Sequence, residues 1–129
     1  MVLLLCLAGI GGGSALANGS FPANRTLESA EGPLPGCNRP PTINYSAEDR
    51  RLSLRVCCNQ ISAPAVLDGN ILRITGAAIS TRMHCGDGQA SEDRFVKQID
   101  SQRELRWRLE GGMLLLESDP PLRFRIPAS

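Results

Sequence analysis

Histidine is nearly missing from this chain. His84 stands alone, so no multi-His metal site and no two-His mechanism can form within one molecule. Aromatic residues are scarce, at 4%. A single-stranded nucleic-acid site interleaves exposed aromatics with basic charge, and this sequence has few to offer. Neither sign of charge is in excess: fourteen Lys and Arg face thirteen Asp and Glu, for a net charge of +1. That balance gives no support to a nucleic-acid partner. After residue 17 no stretch approaches the ~18 apolar residues of a membrane span, so no integral span is expected. What the chain does have is 42% hydrophobic residues, too many for a disordered polypeptide. Its 129 residues suffice for one domain with one core.

The N-terminus opens on a short apolar run, Val2 to Ile10, followed by three glycines and Ala15-Leu16-Ala17. A small-x-small tripeptide after such a run is a secretory cleavage site, so residues 1–17 are expected to be a signal peptide. The three glycines argue against one buried helix here. Cys6 lies mid-run behind Leu5, without the small residue that precedes an acylated cysteine. Cleavage leaves Cys37, Cys57, Cys58 and Cys85. Four cysteines in a short exported chain predict disulfides and allow three pairings. Residues 18–24 are expected to be a flexible leader.

The remainder alternates with a period of two. Leu52, Leu54, Val56 and Cys58 share one face of 51–58, with Arg51, Ser53, Arg55 and Cys57 on the other. Leu105, Trp107 and Leu109 alternate with charged residues in 104–110, as do Leu122, Phe124 and Ile126 in 122–126. This is the pattern of half-buried antiparallel strands. Gly111-Gly112 and Asp68-Gly69 mark hairpins. Met113 to Leu116 is apolar on both faces, which places that strand centrally, and Pro64 predicts an edge or a bulge in 60–66. One helix is expected over 89–101, capped by Asp87 or Ser91, with Phe95, Val96 and Ile99 inward and Glu92, Asp93 and Lys97 toward solvent. The order predicts a mainly β (α+β) fold: a curved antiparallel sheet or small barrel closed by one helix.

Candidate chemistry is thin. Cys57-Cys58 and His84-Cys85 offer thiolates and an imidazole suited to zinc or copper. Adjacent strand residues point to opposite faces, however, so Cys57 and Cys58 do not readily share one ion. Structural disulfides are therefore expected, with no metal and no cofactor. Asn59 and Thr81 are expected to satisfy backbone groups at strand ends, and Arg82 to brace a turn or pair with an acid such as Glu92. No base supports a nucleophile and no carboxylate pair has a diagnostic spacing, so no catalytic residue is assigned and no enzyme is expected. Arg51, Arg55, Arg73, Arg106, Arg108, Arg123 and Arg125 fall on outward faces, where pairing with Glu104, Glu110 and Glu117 is favoured over a polyanion site.

The order Cys58-Asn59, then Asp68-Gly69-Asn70, then Thr81-Arg82-Met83-His84-Cys85, then Glu92 on a helix and a closing hairpin resembles the META domain family, the HslJ-like proteins. The resemblance covers about residues 25–126, so the domain is assigned to 25–129. Ile61-Ser62-Ala63 departs from the family's aromatic-Ser-Gly turn. The resemblance implies a small β-barrel-like fold in periplasmic or secreted proteins of the bacterial envelope, and a stress-related setting. It marks Asn59, Thr81, Arg82, Met83 and Glu92 as motif residues and brings no catalytic role. In that family, cysteines matching Cys58 and Cys85 are the recurrent pair. The resemblance thus implies Cys58–Cys85 and leaves Cys37 to Cys57. The expected function is non-enzymatic binding, by a monomer, of an unidentified protein or envelope component. The alternative is a small apolar-ligand carrier using the barrel interior.

Overall fold

The computed structural model describes residues 20–128; the expected signal peptide and its cleavage site lie outside them. Among the described residues nine strands and one α-helix follow in order, the helix preceded by a 3-10 turn at Gly86–Gly88: β1 (Leu27–Ser29), β2 (Thr42–Ser46), β3 (Arg51–Val56), β4 (Asn59–Asp68), β5 (Ile71–Ile74), β6 (Ile79–Ser80), α1 (Gln89–Asp100), β7 (Glu104–Glu110), β8 (Met113–Glu117) and β9 (Leu122–Arg125). Every pairing is antiparallel. The order β3-β2-β1-β9-β8-β7-β5-β4 returns to β3 through a β3–β4 ladder, so eight strands close into a barrel and β6 hangs on β4 alone. Closure removes the free edges that an open sheet would present. Among the described residues no helix is long and apolar enough to cross a membrane.

The period-two residues fill the barrel. Leu27, Ile43, Leu52, Leu72, Leu105, Leu114, Leu116 and Phe124 are buried almost completely. β8 is central, between β7 and β9. Its apolar run has a divided use: Leu114 and Leu116 enter the core, while Leu115 faces outward. Leu115 is nonetheless buried, in register between Arg108 and Arg123, whose aliphatic stems can cover it. The β7–β8 turn is Gly111-Gly112, both at positive φ, as a two-residue hairpin of this hand requires.

Three expectations change. Residues 20–24 are seated rather than loose. Phe21 is buried and meets Trp107 and Tyr45 edge to face, at centroid distances of 5.2 and 5.9 Å, and the Asn24 amide donates to the Tyr45 carbonyl. Pro64 sits within β4, opposite Arg51, without making an edge strand or bulge. Its carbonyl accepts from Thr75 on the β5 side, so its missing N–H faces the same side, at the gap between the end of β5 and the start of β6. The third change is at Cys57-Cys58, where β3 has already ended. Val56 pairs with Asn59, and the two cysteines are the centre of a tight turn, with Cys57 at φ +49°. Strand alternation stops at Val56, and both cysteines are half-buried rather than one inward and one outward.

Candidate functional site

The β3–β4 turn sends its two cysteines to different partners. Cys57 is bonded to Cys37 and Cys58 to Cys85, with Cα–Cα separations of 5.1 and 5.5 Å. The outer bond packs against the start of α1. A Cβ at Gly88 would lie 2.4 Å from Cys57 Sγ and 2.6 Å from Cys37 Sγ. Gly88 is the N-cap of α1, and the sulfurs leave no room there for a capping side chain. Neither expected cap is used, because the helix starts at Gln89: Asp87 precedes the cap and stays exposed, and the Ser91 hydroxyl, inside the first turn, donates to the Pro35 carbonyl at 2.8 Å. Gly88→Ala is expected to displace the disulfide and cost about 1–3 kcal/mol. Urea unfolding of the oxidised protein checks it.

The inner bond belongs to a polar node centred on Asn59, which is buried at the first position of β4. Its Nδ2 donates to the Met83 carbonyl and to Glu92 Oε1, both at 2.8 Å. Its Oδ1 accepts from the Thr81 hydroxyl and from the Met83 amide, also at 2.8 Å. All four hydrogen-bonding places of the carboxamide are thereby used. The Asn59 amide donates to Glu92 Oε2 at 3.2 Å. Thr81 in turn accepts from the Gln60 amide at 2.9 Å. The carboxamide takes both main-chain groups of Met83 as a neighbouring strand would, so it extends the β4–β6 ladder beyond the end of β6.

Glu92, expected toward solvent, is 5% exposed. Among the described residues no cation pairs with it, and N–H donors hold the carboxylate instead. Its Oε2 lies 3.2 Å from Cys85 Sγ. Cys58, Cys85 and Glu92 thus converge like three metal ligands. Bonded to each other, however, the two sulfurs offer no thiolate, and a thiolate is the form that binds metal. Arg82 is exposed and outside the node; no salt bridge joins it to Glu92. His84 is also exposed and accepts from the Gly86 amide through Nδ1, a local turn contact. The node joins Asn59, Thr81, Met83, Glu92 and the Cys58–Cys85 bond, and leaves Arg82 out.

Two concave regions flank the node, and sequence reasoning found neither. A cavity of ≈ 350 Å³ lies between α1 and the inner face of β3–β5, walled by Leu54, Val56, Ile61, Ala63, Phe95 and Ile99, with Asp100 and Arg103 at its rim. Arg103 donates to the Gly76 carbonyl at 2.9 Å, which ties the β5–β6 connection to the end of the helix. A more polar groove runs on from it between residues 80–84 and α1; cavity and groove share Ile61, Ser80, Val96 and Asp100. Three of the seven outward arginines have carboxylate partners among the described residues, and Arg51, Arg55, Arg106 and Arg125 form no salt bridge there. Arg73 pairs with Asp68 and Glu104, Arg108 with Glu110 and Glu117, and Arg123 with Glu31. The hydrogen bonds that Arg73 donates to Glu104 and then to Asp68 hold its pKa above the ordinary value.

A family model for the META domain matches residues 15–125. The chain belongs to the META domain family. The match takes in both disulfides and the whole Asn59 node, so the node is part of this META domain rather than an addition to it. No curated protein matches the chain. Solved structures share the fold. One, described as the NMR structure of a protein, superposes with a TM-score of 0.61 at 20% identity, over 83% of this chain and 95% of its own. Another, from Burkholderia xenovorans, gives 0.60 at 14% identity, over 100% and 97%. At these identities the likeness is one of fold alone.

Proposed function

We propose that this META domain protein is exported and works without catalysis, by binding a partner protein or envelope component outside the cytoplasm, in the stress-related setting that its family resemblance implies. One observation carries the reading. The motif's buried polar groups, those of Asn59 and Glu92, are engaged in holding the fold, while Arg82 and the concave surface beside them remain open. The Asn59 carboxamide has no hydrogen-bonding capacity left for a substrate, the Thr81 proton is given to Asn59, and the sulfurs are bonded to each other. Two disulfides fit an oxidising compartment. The oxidised protein, immobilised and exposed to an envelope extract, is expected to retain one component that free protein competes away. Retention of nothing from envelope and secreted fractions would contradict binding. Mass spectrometry of protein from those fractions is expected to show Asn18 as the first residue; an intact Met1 on cytoplasmic protein would contradict export.

The ≈ 350 Å³ cavity favours a second reading, an apolar-ligand carrier. Stoichiometric uptake of N-phenyl-1-naphthylamine, lost in Ala63→Phe, is the result that reading requires.

A further inference from the structure

β6 is the exception to the closed barrel. Among the described residues it pairs with β4 on one side only. The register decides which of its main-chain groups are free. Ser62 stands opposite Ile79 and Ile61 opposite Ser80, and the Thr81 amide donates to the Gln60 carbonyl. In an antiparallel ladder the bonded pairs recur at every second residue, so Ile79 and Thr81 bond toward β4 and Ser80 points away from it. Met83 continues the pattern, with its N–H and C=O on the Asn59 carboxamide. The main-chain groups of Ser80 and Arg82 are therefore held on the outer side of an extended segment. Asn59 and Thr81, bound in the node, are what keep it extended.

This edge is also unusually apolar. Of the three exposed large hydrophobic side chains among the described residues, Ile79 (68% exposed) and Met83 (58%) stand here. Natural edges are commonly protected by charge, proline or a covering element. Here only Arg82 adds charge, and the groove leading to the apolar cavity runs alongside. An apolar face alone names no occupant, but a row of outward N–H and C=O groups in extended geometry is complementary to another extended backbone.

We propose that the edge formed by residues 79–83 receives an extended segment of a partner protein, added as a strand between β6 and α1, with one of its apolar side chains entering the cavity. The proposal rests on the binding reading above and names the class of partner. Main-chain bonds to Ser80 and Arg82 supply the attachment, and the cavity supplies the side-chain preference.

Ser80→Pro tests it. Proline at 80 removes an outward N–H and leaves the inward bonds of Ile79 and Thr81 in place. In the free, oxidised protein the amides of Ser80 and Arg82 are expected to exchange quickly and those of Thr81 and Met83 slowly. A displayed library of random decapeptides serves as the probe. Selected peptides are expected to carry alternating apolar residues, to slow exchange at Ser80, and to bind Ser80→Pro at least roughly tenfold more weakly, about 1.4 kcal/mol. Ser80→Ala, which keeps the amide, should bind as the parent does. If Ser80→Pro does not fold, Arg82→Pro removes the other outward amide.

Slow exchange at Ser80 in the free protein would overturn the proposal. So would selection of no peptide, equal binding by the proline variant, or uptake of N-phenyl-1-naphthylamine without any peptide bound. A self-associated dimer that alone protects Ser80 would assign the edge to a second copy and overturn it too. If the proline variant retains the same envelope component as the parent, the binding reading stands and the edge proposal falls.

Discussion

Replacing Asn59 with alanine is expected to cost about 3 kcal/mol, among the largest effects of any single substitution in the motif. The variant leaves the Thr81 hydroxyl and both main-chain groups of Met83 without their partner, and strips one donor from a buried carboxylate. Met83 is exposed, so water can recover part of that loss. Glu92 is buried, and among the described residues no cation pairs with it. Leaving a buried charge short of partners is the expensive element. In a domain of this size the midpoint should fall by roughly 12 °C or more. Asn59→Asp should be no better, because it replaces the two N–H donors with a second carboxylate beside Glu92. Glu92→Gln keeps the shape and most of the contacts and should cost only about 1 kcal/mol. Thermal and urea unfolding with the disulfides intact checks the ranking; a harmless Asn59→Ala would mean that the hydrogen bonds around it contribute nothing.

Removing the inner disulfide through Cys58→Ala with Cys85→Ala is the second large effect. The bond closes a loop with a sequence separation of 27, for which chain entropy gives about 3.5 kcal/mol. The outer bond spans 20 and gives nearly the same on that ground. The inner variant should nonetheless be the worse of the two, because Cys85 lies against Glu92 and accepts from Asn59, whereas the outer sulfurs touch a helix end. Its cost should not add to that of Asn59→Ala, since both substitutions dismantle one network. Urea midpoints for the two pairwise variants and the triple variant test this. Equal losses for inner and outer bonds would place the node outside the energetics.

Where the physics is local, the sequence was readable. Gly111-Gly112 permits positive φ at both turn positions, and the alternation of Leu105 and Trp107 leaves only one face for the core. The helix was legible from Phe95 and Ile99. Glu92 is buried where the sequence places it toward solvent, although positions 92, 95 and 99 follow the apolar spacing of one helix face. Burial wins there because Asn59, distant in sequence, brings its donors to the carboxylate. The cysteine faces were misread for a related reason. A strand pattern carried two residues past Val56 takes no account of a turn, and Cys57 adopts a positive φ that alternation cannot announce. β6 is too short to show any period, and Phe21 joins the core by packing across the barrel on Trp107 rather than through a pattern of its own. The cap of α1 falls on Gly88, between the two expected residues, where the sulfurs of Cys37 and Cys57 admit no side chain.

The central claim is that the Asn59 node exists to hold residues 79–83 extended along β4. Amide hydrogen exchange at Met83 tests it most directly, because that N–H bonds to a side chain rather than to a strand. In the parent protein Met83 should exchange as slowly as the neighbouring β4 amides. In Asn59→Ala it should lose that protection while β7 and β8 keep theirs. Fast exchange at Met83 in the parent, or unchanged protection in the variant, would contradict the account.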